Sequence, residues 1–250
     1  FQGFKNLRTR NRKPFPTRPK GIDTVLLTHA HLDHSGYLPK LVREGYRGPI
    51  YCSGATKDLC EILLRDSAYI SERDAERANR YRYTKHEPAK PLYTVADAEA
   101  AIAQLVPVAF HTDIALDIGA RVYMRRAGHI LGASTLEVKW GGKTIVFSGD
   151  LGRYDDPFMF DPEPVRKADY VVIESTYGDR THPKTDPMEQ LGEVIGRTVS
   201  RGGTVVIPAF AVGRAQLLLY HIWMLKKAGR FANVAIYLDS PMAINATELL

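Results

Sequence analysis

Hydrophobic and polar positions follow a helical period through much of the first half of the chain, interrupted by short apolar runs. The run Val25 to Thr28 is of buried-strand type, and Ser35 to Gly45 carries its apolar residues on one helical face. "GPIYCS" restarts as a strand, and the long polar stretch from Ala55 to Tyr83 predicts helix. Thr94 opens a further helix with the capping-box-like pattern "TVAD". This half of the chain therefore predicts strands that alternate with helices.

From Leu105 the pattern changes towards the alternation that is typical of strands. "ARVYMRRAG", "STLEVKW" and "KTIVFSGD" predict consecutive strands, of which the last two are joined by Gly141-Gly142, a hairpin signal. "DYVVIES" predicts another buried strand. Beyond Arg201, "GTVVIPAF", the helix "GRAQLLLYHIWMLKKAG" and "NVAIYLD" predict a βαβ unit, which suggests that a second, Rossmann-like domain begins there. The fold class predicted from these patterns is α/β.

Composition narrows the class of protein. With 250 residues, of which 44% are hydrophobic and 25% charged, the chain is globular in type and long enough for one large domain or one and a half. No run approaches the ~18 apolar residues of a membrane span, and the opening "FQGFKNLRTR" does not form a secretory signal. Cys52 and Cys60 lack the spacing of a paired metal or redox motif, which favours a reducing compartment. We therefore expect a cytoplasmic protein with no membrane partner.

Positive charge is concentrated near the start of the chain. The formal net charge is +6, and the segment "FKNLRTRNRKPFPTRPK" contains no acidic residue. Its cations are Lys5, Arg8, Arg10, Arg12, Lys13, Arg18 and Lys20. Such a strip can attract phosphates, and it can equally be a solvated surface arm. The sequence leaves these two interpretations open.

Four metal-binding side chains follow the first predicted strand: His29, His31, Asp33 and His34. Neutral imidazole and carboxylate are ligands that Zn²⁺ prefers, and a catalytic zinc needs about three protein ligands. Residues two apart in an extended segment point the same way, so His29 and His31 can bind one metal. Asp33 and His34 fall where the chain turns into a helix, and they suit a second metal. A single histidine here would more often be structural, but the pattern H-x-H-x-D-H favours a metal site.

"THAHLDHSG" resembles the signature of the metallo-β-lactamase superfamily, whose fold is an αββα sandwich with a dinuclear metal site along one edge of its two sheets. The resemblance implies that His129, in "RRAGHILGAST", joins His29 and His31 on the first metal. It also implies that Asp150, in "VFSGDLGR", bridges both metals.

A further histidine should complete the second metal site, but neither later histidine matches the expected motif. His182 lies in the loop "YGDRTHP" and is the better candidate. His221 has Leu217 and Leu225 one helical turn to either side, which favours packing.

The motif "VVIESTYGDR" resembles that of the β-CASP branch of this superfamily, whose members process nucleic acids, and "PAFAVGRAQ" and "LDSPMA" resemble the opening segments of its inserted domain. The resemblance implies a metallo-β-lactamase domain over residues 1–200 and the start of a Rossmann-like β-CASP domain over residues 201–250. It places Glu174 at a strand end beside the metals. It also implies that the chain is a fragment, with the last histidine motifs beyond Leu250 and an early aspartate motif before Phe1.

The implied chemistry is hydrolysis of RNA phosphodiesters. Two divalent ions, zinc or alternatively manganese, would hold a bridging hydroxide for attack on phosphorus. Asp33 and Asp150 take part as ligands, and Glu174 would orient the site or help a proton reach the leaving oxygen. Arg153, Arg180 and Arg214 are candidates for binding substrate phosphates.

Two other functions stay open on the sequence. One is a hydrolase of small esters, thioesters or lactones on the same sandwich, and the other is a non-catalytic RNA-binding paralogue. The second would have lost metal ligands, whereas this chain retains His29, His31, Asp33, His34, His129 and Asp150. The choice between endonuclease and exonuclease, the RNA target and the assembly, including a homodimer, stay open as well.

Overall fold

The computed structural model describes residues 7, 9–181, 185–231 and 234–250 of the chain. The strands are β1 (Val25–Leu26), β2 (Ile50–Ser53), β3 (Leu105–Val108), β4 (Asp113–Ala115), β5 (Arg121–Arg126), β6 (Ser134–Trp140), β7 (Lys143–Phe147) and β8 (Tyr170–Val172). The α-helices are α1 (Leu32–Ser35), α2 (Leu38–Arg43), α3 (Gly54–Tyr81), α4 (Val95–Ile102), α5 (Pro187–Val199), α6 (Arg214–Lys227) and α7 (Pro241–Glu248). Two short 3-10 helices, Thr9–Arg12 and Pro19–Gly21, precede β1.

These strands form two sheets. β1, β2 and β3 lie side by side in that order and run parallel, with Ile50 opposite both Val25 and Leu105. Parallel neighbours need a crossover connection, which the helices α1 to α4 provide. The second sheet has the order β4-β5-β6-β7-β8 and is antiparallel except between β7 and β8. Its β6–β7 hairpin turns at Gly141 and Gly142, as predicted, with positive φ angles of 56° and 75° that favour glycine.

Alternate residues of the parallel sheet face two different cores. Ile50 and Cys52 of β2 are buried beneath the helices, whereas Tyr51 between them packs with residues of the second sheet. Val122 and Met124 of β5 point into that same interior. Because side chains of a strand alternate between its faces, the two sheets stack face to face and the helices cover the parallel one. This mixed α/β architecture agrees with the layered fold that the sequence predicts.

Helices α3 and α4 begin close to where the sequence predicts. Ser53 caps α3, a helix of 28 residues, because its side chain accepts a hydrogen bond from the amide of Thr56. Thr94 and Asp97 form the predicted reciprocal capping box of α4. Both caps satisfy amides that the first helical turn leaves unpaired, so they fix where each helix leaves its loop.

The single helix predicted over residues 35–45 is divided in the structure into α1 and α2. Pro39 lies in the first turn of α2, where its missing amide hydrogen costs nothing, so a new helix begins there rather than continuing the previous one. Gly45 follows the end of α2 with a φ of 116°, a backbone conformation that favours glycine.

"DYVVIES" forms β8 as predicted, but the strand is exposed rather than buried. Tyr170, Val171 and Val172 expose 58%, 60% and 54% of their surface. β8 lies at the edge of its sheet and pairs only with β7 among the described strands. Apolar composition therefore predicted the strand correctly, but it did not predict that the strand lies at the edge of the sheet and is exposed.

The βαβ unit predicted beyond Arg201 is only partly present. α6 forms, but the segments 203–210 and 234–240 on either side of it are not assigned to strands. Val205 and Val234 from these segments pack on the small core between α5 and α6. Strand formation depends on neighbouring strands, and an isolated pair is marginal in water, so local sequence alone does not decide it.

The C-terminal helices also contact the main core. Val212 and Ala246 are buried together with residues of α2, α3 and α4. The division between residues 1–200 and 201–250 stays a prediction. Within the described ranges, no helix combines the length and apolar character that crossing a membrane requires.

Candidate metal centre

The candidate ligands follow the ends of three different strands. His29 and His31 follow β1, His129 follows β5 and Asp150 follows β7. Hydrogen bonds tie these loops together: Ser134 donates from both its amide and its hydroxyl to the carbonyl of Thr28, each at 2.8 Å. Residues distant in sequence are thereby brought to one edge of the two stacked sheets, and we call these loops, with His29, His31, His129 and Asp150, the metal edge.

Four ligand atoms converge on one point. His29, His31, His129 and Asp150 each offer an atom within 4.8 Å of the others. His31 Nδ1 lies 3.2 Å from His29 Nε2 and 3.1 Å from His129 Nε2. Asp150 Oδ2 lies 3.8 Å from His29 Nε2 and 3.5 Å from His129 Nε2. The structure therefore brings together the four side chains that the motifs assigned to the first metal.

The second predicted half-site lies on the other side of Asp150. His34 Nε2 is 3.3 Å from Asp150 Oδ1 and 3.6 Å from Asp33 Oδ2. The two oxygens of one carboxylate thus face two different groups of ligands. Asp33 is the more open of these residues, with a side chain that is 62% exposed.

Electrostatics keep the first group in the form that binds cations. Burial, and then the proximity of the other histidines, lower the pKa of His29 to about 2. Burial likewise lowers the pKa of His31 and His129, although Asp150 opposes the shift. Neutral imidazoles present a free lone pair, and three of them with one carboxylate form a donor set that suits a divalent cation such as Zn²⁺. The residues present therefore fit the implied metal.

Glycines let the ligand loops approach each other closely. Gly128 and Gly149 precede His129 and Asp150, with φ angles of 68° and 58°. A Cβ added to Gly152 would lie 1.8 Å from the carbonyl oxygen of Gly128, so no larger residue fits where the two loops cross. The amide of Gly152 also donates to the carbonyl of Ala127 at 2.8 Å. Glycine at this crossing sets the relative position of His129 and Asp150.

Two neighbouring side chains, Thr28 and Glu174, support the candidate ligands, and no sequence motif predicted a role for Thr28. Thr28 Oγ1 lies 3.2 Å from His29 Nδ1, within hydrogen-bond distance of the nitrogen that points away from the other ligands. Such a partner fixes the tautomer and the ring orientation of a ligand histidine. The only signal in the sequence is a hydroxyl residue directly before the first histidine.

Glu174, predicted to lie beside the metals, contacts the loop that carries Asp150. Its Oε1 accepts a hydrogen bond from the amide of Leu151 at 2.8 Å. Partial burial opposes its ionisation, but the hydrogen bonds from the amides of Leu151 and Thr176 outweigh that effect and lower the pKa of Glu174. The side chain is therefore an ionised acceptor that holds backbone amides.

The three arginines proposed for phosphate binding lie in different settings. Arg153 is exposed, three residues after Asp150. Arg214 begins α6, directly after Gly213, where an added Cβ would lie 3.2 Å from the side chain of Ile130 beside His129. Arg180 instead pairs with its neighbour Asp179, Nε to Oδ1 at 2.9 Å. Arg153 and Arg214 thus adjoin loops of the metal edge, and the role of all three stays a prediction.

The remaining histidine candidates add no ligand to the described site. His182 lies outside the described residues. His221 is half-buried in α6, and it is not in the group of converging ligands found among the described residues. The further histidine expected at the second half-site therefore stays unassigned.

Known proteins resemble this chain over most of its length. Ribonuclease TTHA0252 of Thermus thermophilus is 40% identical over 244 residues, which cover 97% of this chain and 52% of that protein. Transcription termination factor FttA of Methanocaldococcus jannaschii is 32% identical, over 87% of this chain and 33% of that protein. Cleavage and polyadenylation specificity factor 73 of Drosophila melanogaster is 34% identical, over 79% of this chain and 27% of that protein.

The chain thus spans about half the length of the Thermus relative and about a third or less of the other two. The names of these relatives agree with the nucleic-acid-processing branch that "VVIESTYGDR" indicates. Residues 2–201 match the family model described as "Beta-lactamase superfamily domain". That match covers most of the sandwich and the four converging candidate ligands, and the chain belongs to the beta-lactamase superfamily.

Proposed function

We propose that the protein is a metal-dependent phosphodiester hydrolase that cleaves RNA at a dinuclear site, with zinc as the expected metal and manganese as the alternative. The observation that carries the proposal is the position of Asp150, whose Oδ2 faces the three-histidine group and whose Oδ1 faces His34. A carboxylate shared between two ligand groups is suited to a pair of cations a few ångströms apart. RNA as the substrate is supported by the names of the relatives, a ribonuclease and a cleavage and polyadenylation factor.

In this proposal, His29, His31, His129 and Asp150 hold one cation, and Asp33, His34 and Asp150 hold the other. When bound, such a pair supplies a hydroxide at neutral pH and neutralises the charge that builds on phosphorus. The burial of His29 places the first group against the protein interior, whereas the exposure of Asp33 leaves the second group open to a polymer substrate.

Other residues act around this centre. Glu174 holds the amide of Leu151 and so positions Asp150. The guanidinium groups of Arg153 and Arg214 bind substrate phosphates, because their planar donors match phosphate oxygens. In the proposal residues 1–200 are the metallo-β-lactamase domain, residues 201–250 begin the β-CASP domain, and the protein acts in the cytoplasm.

The test is cleavage of a fluorescein-labelled, unstructured single-stranded RNA of about 20 nucleotides by protein supplied with Zn²⁺ or Mn²⁺. Asp150→Ala and Asp33→Ala are expected to lower the rate about 100-fold or more, since metal ions contribute several kcal/mol of charge stabilisation. Asp117→Ala is the matched control, because Asp117 is an exposed aspartate in the turn between β4 and β5.

Two results would overturn the proposal. Equal rates for Asp150→Ala and Asp117→Ala would mean that the metal edge is not the catalytic centre. Turnover of small esters, thioesters or lactones without any cleavage of RNA would identify a different hydrolase on the same sandwich.

A further inference from the structure

Charge along α3 is compensated near its middle but not near its C-terminal end. Arg65 pairs with both Glu61 and Glu99, and Arg73 pairs with Glu76. Residues 77–90, in contrast, contain a single acidic residue, Glu87. Their cations are Arg77, Arg80, Arg82, Lys85 and Lys90, and none of these five forms an ion pair with a carboxylate of the described chain. The positive charge at this end of the helix is therefore available to an external anion.

The chain folds back against α3 directly after these cations. Arg82 ends the helix with a φ of 50°, which turns the backbone. The Asn79 side chain then holds Ala89 from both sides: its Nδ2 donates to the carbonyl of Ala89 at 2.9 Å, and its Oδ1 accepts from the amide of Ala89 at 2.6 Å. This double hydrogen bond fixes the returning loop beside the last turns of α3.

The basic segment near the start of the chain reaches the same place. Arg12 Nη2 donates to the carbonyl of Lys90 at 2.7 Å. Lys40 anchors the same segment, because its Nζ donates to the carbonyl of Lys13 at 2.6 Å. Part of the basic strip is thus held against the returning loop, where its charge adds to that of residues 77–90.

These three segments line an open, solvent-exposed cavity of about 520 Å³. Its lining includes Arg12, Asp74, Tyr83, His86 and Lys90. Tyr83 and the neighbouring Tyr81 are 61% and 63% exposed, although both rings are large and mostly apolar. We call this cavity and the flanking cations of residues 77–90 the basic groove.

We propose that the basic groove binds single-stranded RNA away from the metal centre. Exposed aromatic rings interleaved with cations suit a strand whose bases stack and whose phosphates need countercharge. Asp74 in the wall can accept a hydrogen bond from an N–H of a base, such as N3–H of uracil. The aromatic rings favour RNA over an acidic peptide, which would use the cations alone. This inference rests on the proposed function for the choice of RNA as the polymer.

The basic groove is separate from the metal edge. α3 begins beside that edge, where Ser53 Oγ donates to the carbonyl of Gly132 at 2.7 Å, three residues beyond His129. The cavity is lined by residues of α3 from Ser71 to Ala78, so at ~1.5 Å per residue it lies roughly 26 to 36 Å along the helix from its start at Gly54. A bound strand would therefore be held at a point that only a polymer of several nucleotides can reach from the catalytic centre.

Binding of a fluorescein-labelled 20-nucleotide oligouridylate, measured by anisotropy in EDTA so that no cleavage occurs, tests the proposal. The triple variant Arg77→Gln, Lys85→Gln and Lys90→Gln is expected to bind the RNA about tenfold or more weakly. The slope of log K against log salt concentration should become shallower by roughly two, since each phosphate contact on a single strand contributes ~0.7 to that slope. Its control, Lys139→Gln, Arg166→Gln and Arg201→Gln, removes the same charge from exposed positions elsewhere.

Substitutions of Tyr83 distinguish base stacking from a general attraction between charges. Tyr83→Ala is expected to weaken RNA binding roughly fivefold or more, and Tyr83→Phe to retain it, because only the ring face is needed for stacking. If Tyr83→Ala binds as well as the unmodified protein, or if polyglutamate displaces the RNA at equal charge concentration, the basic groove is not a single-stranded RNA site.

The catalytic readout distinguishes this inference from the proposed function. The groove triple is expected to raise KM for a 20-nucleotide RNA while leaving kcat, and the hydrolysis of bis(p-nitrophenyl) phosphate, unchanged. If the protein hydrolyses phosphodiesters but the groove triple and its control bind RNA equally well, only the inference about the basic groove is overturned. Groove-dependent RNA binding without any hydrolysis would overturn the proposed function alone.

Discussion

Glu174 Oε1 accepts a hydrogen bond from the amide of Leu151 at 2.8 Å, so its carboxylate holds the residue that directly follows the candidate ligand Asp150. Its Oε2 accepts from the amide of Thr176 at 3.4 Å. The amide of Glu174 in turn donates to Ser148 Oγ at 3.1 Å, two residues before Asp150. Glu174 thus joins the ends of β7 and β8 around Asp150, and we expect it to act by positioning that ligand.

Substitution of Glu174 tests this positioning role. Glu174→Ala removes both acceptors, and we expect kcat to fall about 10- to 100-fold, as is typical for partners of metal ligands. Glu174→Gln keeps one carbonyl oxygen for Leu151 and is expected to retain most of the activity. Hydrolysis of bis(p-nitrophenyl) phosphate across pH measures both variants. If Glu174→Gln were as inactive as Glu174→Ala and lost one limb of the pH profile, Glu174 would act as an acid or base instead.

Replacing Thr28 with valine removes the hydroxyl beside His29 Nδ1 while keeping the side-chain shape. We expect the affinity of the first half-site for Zn²⁺ to fall about 10- to 100-fold, because the ring of His29 loses the partner that orients it. Competition with a chromogenic chelator measures this affinity. Thr144→Val, on β7, is the control and should leave the affinity for Zn²⁺ unchanged. Equal affinities for the two variants would exclude a role for Thr28.

Gly152→Ala tests the crossing of the two ligand loops. The added Cβ would collide with the carbonyl oxygen of Gly128, so the loops carrying His129 and Asp150 must separate. We expect lower thermal stability and a loss of metal binding. Gly54→Ala is the matched control, because nothing lies within 4 Å of a Cβ added there. The idea fails if Gly152→Ala binds metal as the unmodified protein does.

Metal content distinguishes the two half-sites. Asp33 belongs only to the second group, whereas Asp150 faces both. We therefore expect Asp33→Ala to lose the second equivalent of Zn²⁺ and keep the first. Asp150→Ala is expected to weaken the binding of both equivalents. Mass spectrometry of metal after dialysis against limiting Zn²⁺ measures the stoichiometry. Identical losses in the two variants would argue against separate half-sites.

The two cysteines are expected to be unreactive in the folded protein. Burial raises the pKa of Cys52 to about 12, and burial also raises the pKa of Cys60. Since the thiolate is the reactive form, a raised pKa leaves almost none of it at pH 8. Reaction with a disulfide reagent should be slow in buffer and fast in urea, with two thiols titrated. Rapid reaction of either thiol under native conditions would contradict this prediction.

Much of the fold was predictable because its signals are local. Capping by Thr94, the hairpin at Gly141-Gly142 and the long helix up to Tyr81 all depend on residues within a few positions of one another. β8 was predicted as a strand but wrongly as a buried one, and the segments on either side of α6 were wrongly predicted as strands. Burial and pairing of a strand depend on neighbours that its own sequence does not encode.

The sequence by itself determined which residues are candidate ligands, because the crowding of His29, His31, Asp33 and His34 favours metal binding over a structural role for each histidine. Resemblance to known motifs added His129 and Asp150. Only the tertiary structure decided that Asp150 turns its two oxygens to two different groups, that Thr28 and Glu174 contact the candidate ligands or their loops, and that the early basic strip meets the loop that follows α3. These relationships join residues far apart in the chain, and their distances exist only once the sheets and helices have packed.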